Sequence, residues 1–171
     1  DHVSKPWEFY QQPFKMLDHL YCLPGRFVNQ YLIDTKDGLV LIDAGVQESV
    51  YLLIDSIHRL GFDPRNIKHL FLTHGHFDHM LGAEELKALS GAPIYAGEAE
   101  KEVLASSTYN LSGVMGGCET VLEADVYLED EEEIQVADIC FKAIHTPGHT
   151  QGGMCYYMKE CETVISGDTL F

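Results

Sequence analysis

The 171-residue sequence predicts a domain of the mixed α and β class, in which layers of helix and sheet surround one core. Two observations favour this class, which includes both α/β and α+β folds. Short apolar runs typical of strands alternate with segments of helical spacing. Apolar residues make up 46% and charged residues 22% of the chain, which is ordinary globular composition. No repeat, linker or low-complexity segment interrupts the pattern, so we expect residues 1–171 to form a single domain.

The first half of the chain begins its regular structure with a hairpin. The stretch QYLIDTKDGLVLIDAG contains two apolar runs around an Asp-Gly pair, which is a strong hairpin signal. Helices are indicated where apolar residues recur three and four positions apart before a glycine. The run HLFLT lacks alternation, as expected of a strand buried on both faces. The elements predicted after the hairpin are a helix over 48–60, a strand over 69–73, a helix over 82–89, a strand over 93–97 and a helix over 98–106.

The second half begins with a stretch rich in Ser and Gly, residues 107–119, which predicts a surface loop of the kind that often lines sites. Tyr109 and Asn110 in this loop are candidates for substrate contact, although surface packing is the favoured role. The acidic run 129–133 is expected to be a solvated hairpin tip rather than a cation site. The strands predicted in this half lie at 125–130 and 133–145, and a further hairpin covers 154–168.

The charge of the chain limits its partners. Eleven Lys and Arg oppose 27 Asp and Glu, for a formal net charge of −16. We therefore expect no nucleic-acid partner and no anionic membrane partner. No apolar run approaches the roughly 20 residues of a membrane span, and the first residues lack the pattern of a signal peptide. Five cysteines without a CxxC pair favour reduced thiols in a cytoplasmic protein, although Cys155 and Cys161 flank a hairpin.

The stretch THGHFDH carries the strongest chemical signal. His74 and His76 stand two residues apart at the end of a predicted strand, so their side chains point to the same side and can converge on one point. Asp78 and His79 follow where the strand gives way to a loop and then a helix, and that turn can aim them at a second point nearby. Imidazole and carboxylate are the ligands expected for Zn²⁺ and related ions. The stretch therefore predicts a metal site.

Three further strand ends present candidate residues. HTPGHTQGG presents His149 after a Pro-Gly turn, with His145 expected to pack or hydrogen-bond and Thr150 able to orient a neighbour. VISGDTLF presents Asp168, whose two oxygens can bridge two cations. In LVLIDAG, Asp43 ends a strand shortly before a glycine, and two interpretations of it remain. It either forms a turn or caps a helix, or it is a carboxylate that fixes a ligand histidine.

The segments LIDAG, THGHFDH, TPGHTQGG and SGDTL, in this order, resemble the metallo-β-lactamase superfamily, and most closely its glyoxalase II-like (hydroxyacylglutathione hydrolase-like) branch. The resemblance covers essentially the whole chain. It implies an α+β fold, an αββα sandwich with its site at one edge of the two sheets. The ligand set that it implies is His74, His76 and His149 on one metal, Asp78 and His79 on a second, and Asp168 bridging both.

The resemblance also implies an activity, the hydrolysis of a thioester or another small ester by a metal-bound hydroxide. One or two Zn²⁺ ions are expected, with Fe or Mn as alternatives, and a small molecule is the substrate. Asp78 would position the hydroxide and move its proton. Two alternatives remain open, a mononuclear iron persulfide dioxygenase and a metal-binding fragment without turnover. A nuclease is disfavoured by the charge of −16.

One part of the family pattern has no counterpart in this sequence. That pattern continues past Asp168 with a further helix and strand, and it ends in one more histidine for the second metal. Here no histidine follows His149, and the sequence stops at Phe171. We therefore expect a truncated chain, an incomplete sandwich and weak or partial occupancy of the second metal position. An uncovered sheet face would favour self-association, so a homo-oligomer is a possible state.

Overall fold

The structure, a computed structural model, describes residues 5–170 and contains two β-sheets. The seven-stranded sheet runs in the order β1-β2-β3-β4-β5-β6-β7, antiparallel from β1 to β4 and parallel from β4 to β7. Its strands are β1 (Phe14–Lys15), β2 (Leu20–Pro24), β3 (Asn29–Thr35), β4 (Gly38–Ile42), β5 (Ile67–Phe71), β6 (Ile94–Gly97) and β7 (Val126–Leu128). The parallel strands β4, β5, β6 and β7 therefore form one half of the sheet, with β7 at its edge.

The second sheet has four antiparallel strands in the order β11-β10-β9-β8. Its strands are β8 (Glu133–Val136), β9 (Ile139–His145), β10 (Met154–Met158) and β11 (Thr163–Ile165). A core of buried apolar side chains fills the space between the two sheets. Phe71 lies at its centre, with ring centroids 5.3 Å from Phe141 and 5.1 Å from Tyr156 of the opposite sheet. These aromatic contacts bury a large apolar area and hold the sheets face to face.

Helices cover the outer face of the seven-stranded sheet. They are α1 (Val50–Arg59), α2 (Phe77–Met80), α3 (Ala83–Ser90) and α4 (Lys101–Leu104). Apolar side chains from these helices join a second core against that face. Within residues 5–170 the outer face of the four-stranded sheet has no packed α-helix. The expected α+β sandwich is thus confirmed, with three of its four layers in the described residues.

Most of the predicted elements are present with small shifts at their ends, but the strand predicted over 133–145 is two antiparallel strands, β8 and β9, joined by a turn. The hairpin in residues 30–45 is formed by β3 and β4, with Thr35 opposite Gly38. The predicted helix over 98–106 starts as a 3₁₀ turn, Glu98–Glu100, and continues as α4. The two strands that precede β3, namely β1 and β2, were not predicted. β1 is only two residues long and exposed, so it carries no strand pattern.

The interpretation of residues 129–133 as a hairpin tip is wrong. The strands on either side, β7 and β8, belong to different sheets, so this acidic segment is the link that crosses between them. Its side chains are exposed, as predicted, and Glu131 forms an ion pair with Lys142 of β9. Local sequence pattern identifies two strands and a polar link, but it does not say which strands pair.

Two hydrogen bonds tie the sheets together where β5 ends. The backbone N–H of Met154 donates to the carbonyl oxygen of Thr73 at 2.8 Å. The hydroxyl of Tyr156, which is fully buried, donates to the carbonyl oxygen of Leu72 at 2.7 Å. Both bonds join the four-stranded sheet to the backbone just before His74, so the two sheets meet at the edge that carries the candidate residues.

None of the helices in the described residues is long and apolar enough to cross a membrane. The five cysteines are all free thiols, as predicted, and Cys155 and Cys161 are not joined.

Candidate metal centre

The candidate residues lie on two loops, one from each sheet. The first histidine loop (residues 72–76) connects β5 to α2 and carries His74 and His76. The second histidine loop (residues 146–153) connects β9 to β10 and carries His149. The end of β5 and the start of β10 meet where the two sheets are hydrogen-bonded to each other. The two loops therefore face each other although they are far apart in sequence. Asp168 follows β11 in a short 3₁₀ turn beside them.

The first cluster contains the three predicted histidines. His74, His76 and His149 each offer a nitrogen atom, and these atoms all lie within 4.8 Å of one another. His76 Nδ1 and His149 Nε2 are the closest pair, at 2.8 Å. His74 is buried, His76 is half-buried and His149 is exposed, so the cluster opens to solvent on the side of the second histidine loop. Three imidazoles with one open side are a ligand set that zinc accepts.

The second cluster contains His74, His79 and Asp168, again with ligand atoms within 4.8 Å of one another. Asp168 faces both clusters, because its Oδ1 lies 3.3 Å from His79 Nε2 and its Oδ2 lies 3.5 Å from His149 Nε2. This arrangement suits a carboxylate between two cations. Asp78 belongs to neither cluster, although its side chain lines the same pocket as His79 and Asp168.

Asp43 lies beneath the histidines and is almost fully buried, with 2% exposure. Its Oδ2 accepts hydrogen bonds from His79 Nδ1 and from the Thr73 hydroxyl, each at 2.8 Å, and its Oδ1 accepts from the Thr73 N–H at 2.8 Å. The Thr73 oxygen lies 3.2 Å from His74 Nδ1. Asp43 therefore orients His79 directly and His74 through Thr73, which leaves the Nε2 atoms of both rings facing the site.

The donor atoms fit a metal ion. Within the described residues His74 Nε2 is a buried side-chain nitrogen without a hydrogen-bond partner, and His79 Nε2 faces only the Asp168 carboxylate, at 3.3 Å. Buried polar atoms are normally paired, so the unpaired His74 Nε2 beside His79 and Asp168 requires an explanation. A divalent cation that both nitrogens bind provides one, and the histidine and carboxylate donors are those that zinc accepts.

Electrostatics favours different charge states in the two clusters. Burial, together with the neighbouring histidines, lowers the pKa of His74 far below its usual value and that of His76 to about 4, so both rings are neutral near pH 7. Burial opposes the charged form of His79, but Asp43 and Asp168 raise its pKa to about 10. Burial raises the pKa of Asp78. A cation at the second cluster would therefore replace a proton on His79.

A cavity of about 520 Å³ opens onto the second cluster. One wall carries Asp43, Asp78, His79 and Asp168, and the other is largely apolar, with Phe27, Val164 and Leu170 among its residues. A somewhat larger cavity, about 590 Å³, lies at the opposite end of the sandwich and contains neither cluster. The smaller cavity is therefore the one that combines room for an organic molecule with candidate reactive groups.

Sequence reasoning missed Glu100, which connects the two histidine loops. Its carboxylate is fully buried and accepts hydrogen bonds from the N–H of Gly75, the hydroxyl of Thr150 and the N–H of Gly152. Burial raises the pKa of Glu100, and these hydrogen bonds oppose the shift. Two of the three donors are backbone groups, which leave no signature in the sequence. The predicted orienting role of Thr150 takes the form of this bond to Glu100.

His145 and the loop residues have structural contacts. His145 Nε2 donates to the carbonyl oxygen of Gln151 at 2.8 Å, so it supports the second histidine loop and joins neither cluster. Asn110 is fully buried rather than packed at the surface. Its amide bonds the carbonyl oxygen of Thr120 at 2.8 Å, and its own carbonyl oxygen accepts from the Ser112 N–H. Tyr109 is 64% exposed and lies outside the cavity at the second cluster.

An α+β sandwich with histidine and carboxylate clusters where its two sheets meet is typical of the metal-dependent hydrolases. Residues 23–171 match the sequence profile of the Metallo-beta-lactamase superfamily, and the chain belongs to this family. The resemblance noted from the motifs is thus confirmed, with hydroxyacylglutathione hydrolases among the relatives.

Two curated relatives and one solved structure illustrate the similarity. The probable metallo-hydrolase YqgX of Bacillus subtilis is 34% identical over 142 residues, covering 74% of this chain and 67% of the relative. A hydroxyacylglutathione hydrolase of Pelagibacter ubique is 31% identical over 152 residues, covering 88% and 53%. The class B3 di-zinc metallo-beta-lactamase LRA-12, from an Alaskan soil metagenome, superimposes with a TM-score of 0.79 at 30% identity, covering 90% and 59%. The chain thus spans between about half and two thirds of the length of these relatives.

Proposed function

We propose that this chain carries the metal centre of a hydrolase that acts on a thioester or another small ester. The observation that supports this most strongly is the pair of clusters that share His74, with one oxygen of Asp168 directed at each. Hydroxyacylglutathione hydrolases among the relatives favour a thioester. The di-zinc composition of a structural relative favours zinc, with one or two ions.

In this proposal His74, His76 and His149 would hold one ion, Asp78 and His79 would hold a second, and Asp168 would serve both. Zinc bound there supplies Lewis acidity and lowers the pKa of a coordinated water. Asp168 keeps the two positions at a fixed spacing, because its two oxygens face different clusters. Asp43 holds His79 through Nδ1 and so keeps Nε2 directed at the site.

Asp78 is proposed as the residue that moves the proton. Its carboxylate lines the cavity together with His79 and Asp168, within the space where an attacking water would stand. A carboxylate in that place can accept a hydrogen bond from the water, align it toward a carbonyl carbon and hold the proton until the leaving group takes it.

The cavity also limits the substrate class. Its volume of about 520 Å³ suits a small organic molecule, and its apolar wall offers Phe27 and Val164 to an acyl group. The formal charge of −16 opposes a polyanionic substrate such as a nucleic acid. A small thioester or ester satisfies both conditions.

The test is metal analysis followed by a panel of thioester, lactone and phosphodiester substrates. We expect zinc in the purified chain and thioester hydrolysis that a chelator abolishes. His76→Ala and Asp168→Ala are each expected to lower kcat/KM by about 100-fold or more, because each removes a ligand of a Lewis acid that contributes several kcal/mol. The matched control is His58→Ala, an exposed histidine on α1, which should leave the rate unchanged.

Two results would contradict the proposal. Full hydrolysis by both variants would show that the clusters do not carry the reaction. One iron per chain, with oxygen uptake and no hydrolysis, would instead indicate an iron dioxygenase on the same fold.

A further inference from the structure

The two histidine loops come from different sheets, yet the first cluster needs both of them. His74 and His76 lie on the first loop, and His149 lies on the second. Asp43 orients His74 and His79, but it has no hydrogen bond to the second loop. The bonds from Met154 and Tyr156 tie the start of the first loop to β10, and Glu100 is the side chain that bonds to both loops themselves.

The contacts of Glu100 are divided between the loops by oxygen atom. Oε1 accepts from the N–H of Gly75, the residue between His74 and His76, at 2.7 Å. Oε2 accepts from the Thr150 hydroxyl at 2.9 Å and from the Gly152 N–H at 2.8 Å, on the C-terminal side of His149. One carboxylate therefore holds the backbone of both loops at once. Hydrogen bonds to a charged acceptor are about twice as strong as neutral ones.

The two backbone N–H donors, Gly75 and Gly152, are glycines, and the lack of a Cβ atom lets each of them come close to Glu100. A Cβ atom on Gly152 would lie 2.0 Å from the Glu100 nitrogen, and one on Gly75 would lie 3.1 Å from Glu100 Oε1 and 2.9 Å from a Leu104 methyl carbon. No residue except glycine fits at position 152 without moving the backbone. The two positions without side chains allow the backbone amides to reach a carboxylate that is sealed from water.

We propose that Glu100 is a positioning residue that sets the spacing of the first cluster by holding the two histidine loops on the two oxygens of one carboxylate. It touches no candidate ligand and no reacting atom, and it acts through Gly75, Thr150 and Gly152. This inference rests on the proposed function, because it concerns how well the three histidines bind a metal.

The decisive substitution is Glu100→Gln, which preserves size and removes one acceptor. An amide offers one oxygen and one NH₂ group, whereas the carboxylate accepts on both sides. Whichever way the amide turns, its NH₂ faces an N–H donor of one loop, and that loop must move away. The matched control is Glu98→Gln, which removes the same charge from an exposed side chain two residues earlier.

The measurement is Co²⁺ binding to the metal-free chain, followed by the visible absorption of the bound ion and by competition with a chromophoric chelator. We expect Glu100→Gln to bind Co²⁺ at the first cluster about 10- to 100-fold more weakly, the range typical of groups that orient ligands. We also expect a changed Co²⁺ spectrum, because the geometry around the ion changes. A residue that only stabilised the fold would lower the unfolding midpoint and leave the spectrum of the folded protein unchanged.

A second variant keeps the test decisive if Glu100→Gln does not fold. Thr150→Val removes one of the three donors and leaves the carboxylate in place, so a smaller loss of Co²⁺ affinity in the same direction is expected. The inference would be overturned if the folded variants kept the wild-type Co²⁺ affinity and spectrum. It would also be overturned if Glu98→Gln lost as much Co²⁺ affinity as Glu100→Gln. Failure of the wild-type chain to bind Co²⁺ would overturn the proposed function together with the inference. Normal binding by both the wild type and the folded variants would overturn the inference alone, so the two failures can be told apart.

Discussion

Among single residues, Asp43 combines an unusual backbone conformation with a buried, hydrogen-bonded carboxylate. Its φ of +64° lies in the left-handed region, where Asp and Asn are tolerated better than most other side chains. This conformation turns the chain away from β4 and places the carboxylate against His79 and Thr73. The sequence left two interpretations open, a turn residue or a carboxylate that orients a histidine, and the contacts show that one residue has both properties.

Asp43→Asn should weaken metal binding by about 10- to 100-fold, because an amide cannot accept from Thr73 on one side and from His79 on the other. Asn also tolerates positive φ, so the backbone is expected to keep its shape. Competition between the protein and a zinc chelator measures the change. Asp37→Asn, in the exposed turn between β3 and β4, is the control and should bind zinc normally. Equal zinc affinities for wild type and Asp43→Asn would show that Asp43 does not orient the histidines for metal binding.

Among the elements, the loop between α4 and β7 has more internal structure than its composition indicates. Ser and Gly predict an open surface loop, yet Asn110 is fully buried and hydrogen-bonds Leu104, Ser112 and Thr120. The backbone carbonyl oxygen of Asn110 also accepts from the N–H of Phe77, the first residue of α2. This loop therefore supports the helix that carries Asp78 and His79.

We expect Asn110→Ala to lower the free energy of unfolding by about 1–3 kcal/mol, because buried backbone groups lose their partners. Urea denaturation measures the change. Tyr109→Ala provides the comparison, since that side chain is largely exposed and its removal should have little effect. If both substitutions had the same small effect, the loop would not depend on the buried amide.

The junction of α3 with β6 predicts a pH dependence. Asp125 accepts from the Ile94 N–H and from Lys87 on α3, and these bonds lower its pKa, the Ile94 bond most. Because the folded pKa lies below the unfolded value, this stabilisation is complete above the unfolded pKa, about 3.9, and is lost as pH falls through the folded pKa.

Asp125→Asn removes this pH-dependent contribution. Because the pair is partly exposed, the loss at neutral pH should be about 1 kcal/mol or less. The difference between the unfolding free energies of wild type and variant should shrink as pH falls from 5 toward 2. A difference that stayed constant over that range would show that the carboxylate charge contributes nothing to stability.

Across the whole molecule, the two clusters join the two sheets. His74, His76 and His79 follow β5 of the seven-stranded sheet, while His149 and Asp168 follow strands of the other. A bound ion therefore connects both halves of the fold. Since a ligand that binds only the folded state stabilises it, zinc at 100 times its Kd should add about 2.7 kcal/mol.

Thermal unfolding followed by circular dichroism tests this. The midpoint should rise with zinc concentration and fall when a chelator is added. His149→Ala should reduce the zinc-dependent rise, whereas the surface variant His58→Ala should retain it. An identical response of the two variants would mean that zinc stabilises the chain elsewhere.

The sequence identified much of this arrangement, for physical reasons that differ between residues. His74 and His76 were recognisable because two positions on a strand end point to one side, which is a local rule. Asp78 follows the same motif and lines the cavity with His79 and Asp168, but its exact placement depends on how α2 packs, which no local rule gives. Glu100 was invisible because its partners are mostly backbone amides from two sheets. The pairing partners of β7 and β8 were likewise non-local, and the hairpin predicted there was wrong.

The two hydrogen bonds beneath the first histidine loop have a consequence for motion. Fluctuations that separate the sheets must break the Met154 bond to Thr73 and the buried Tyr156 bond to Leu72 together. Both bonds lie next to the backbone that carries His74, so slow breathing of the sandwich is resisted most strongly where the histidines converge. We therefore expect the far end of the sandwich, with its cavity of about 590 Å³, to open before the end that carries the candidate metal centre.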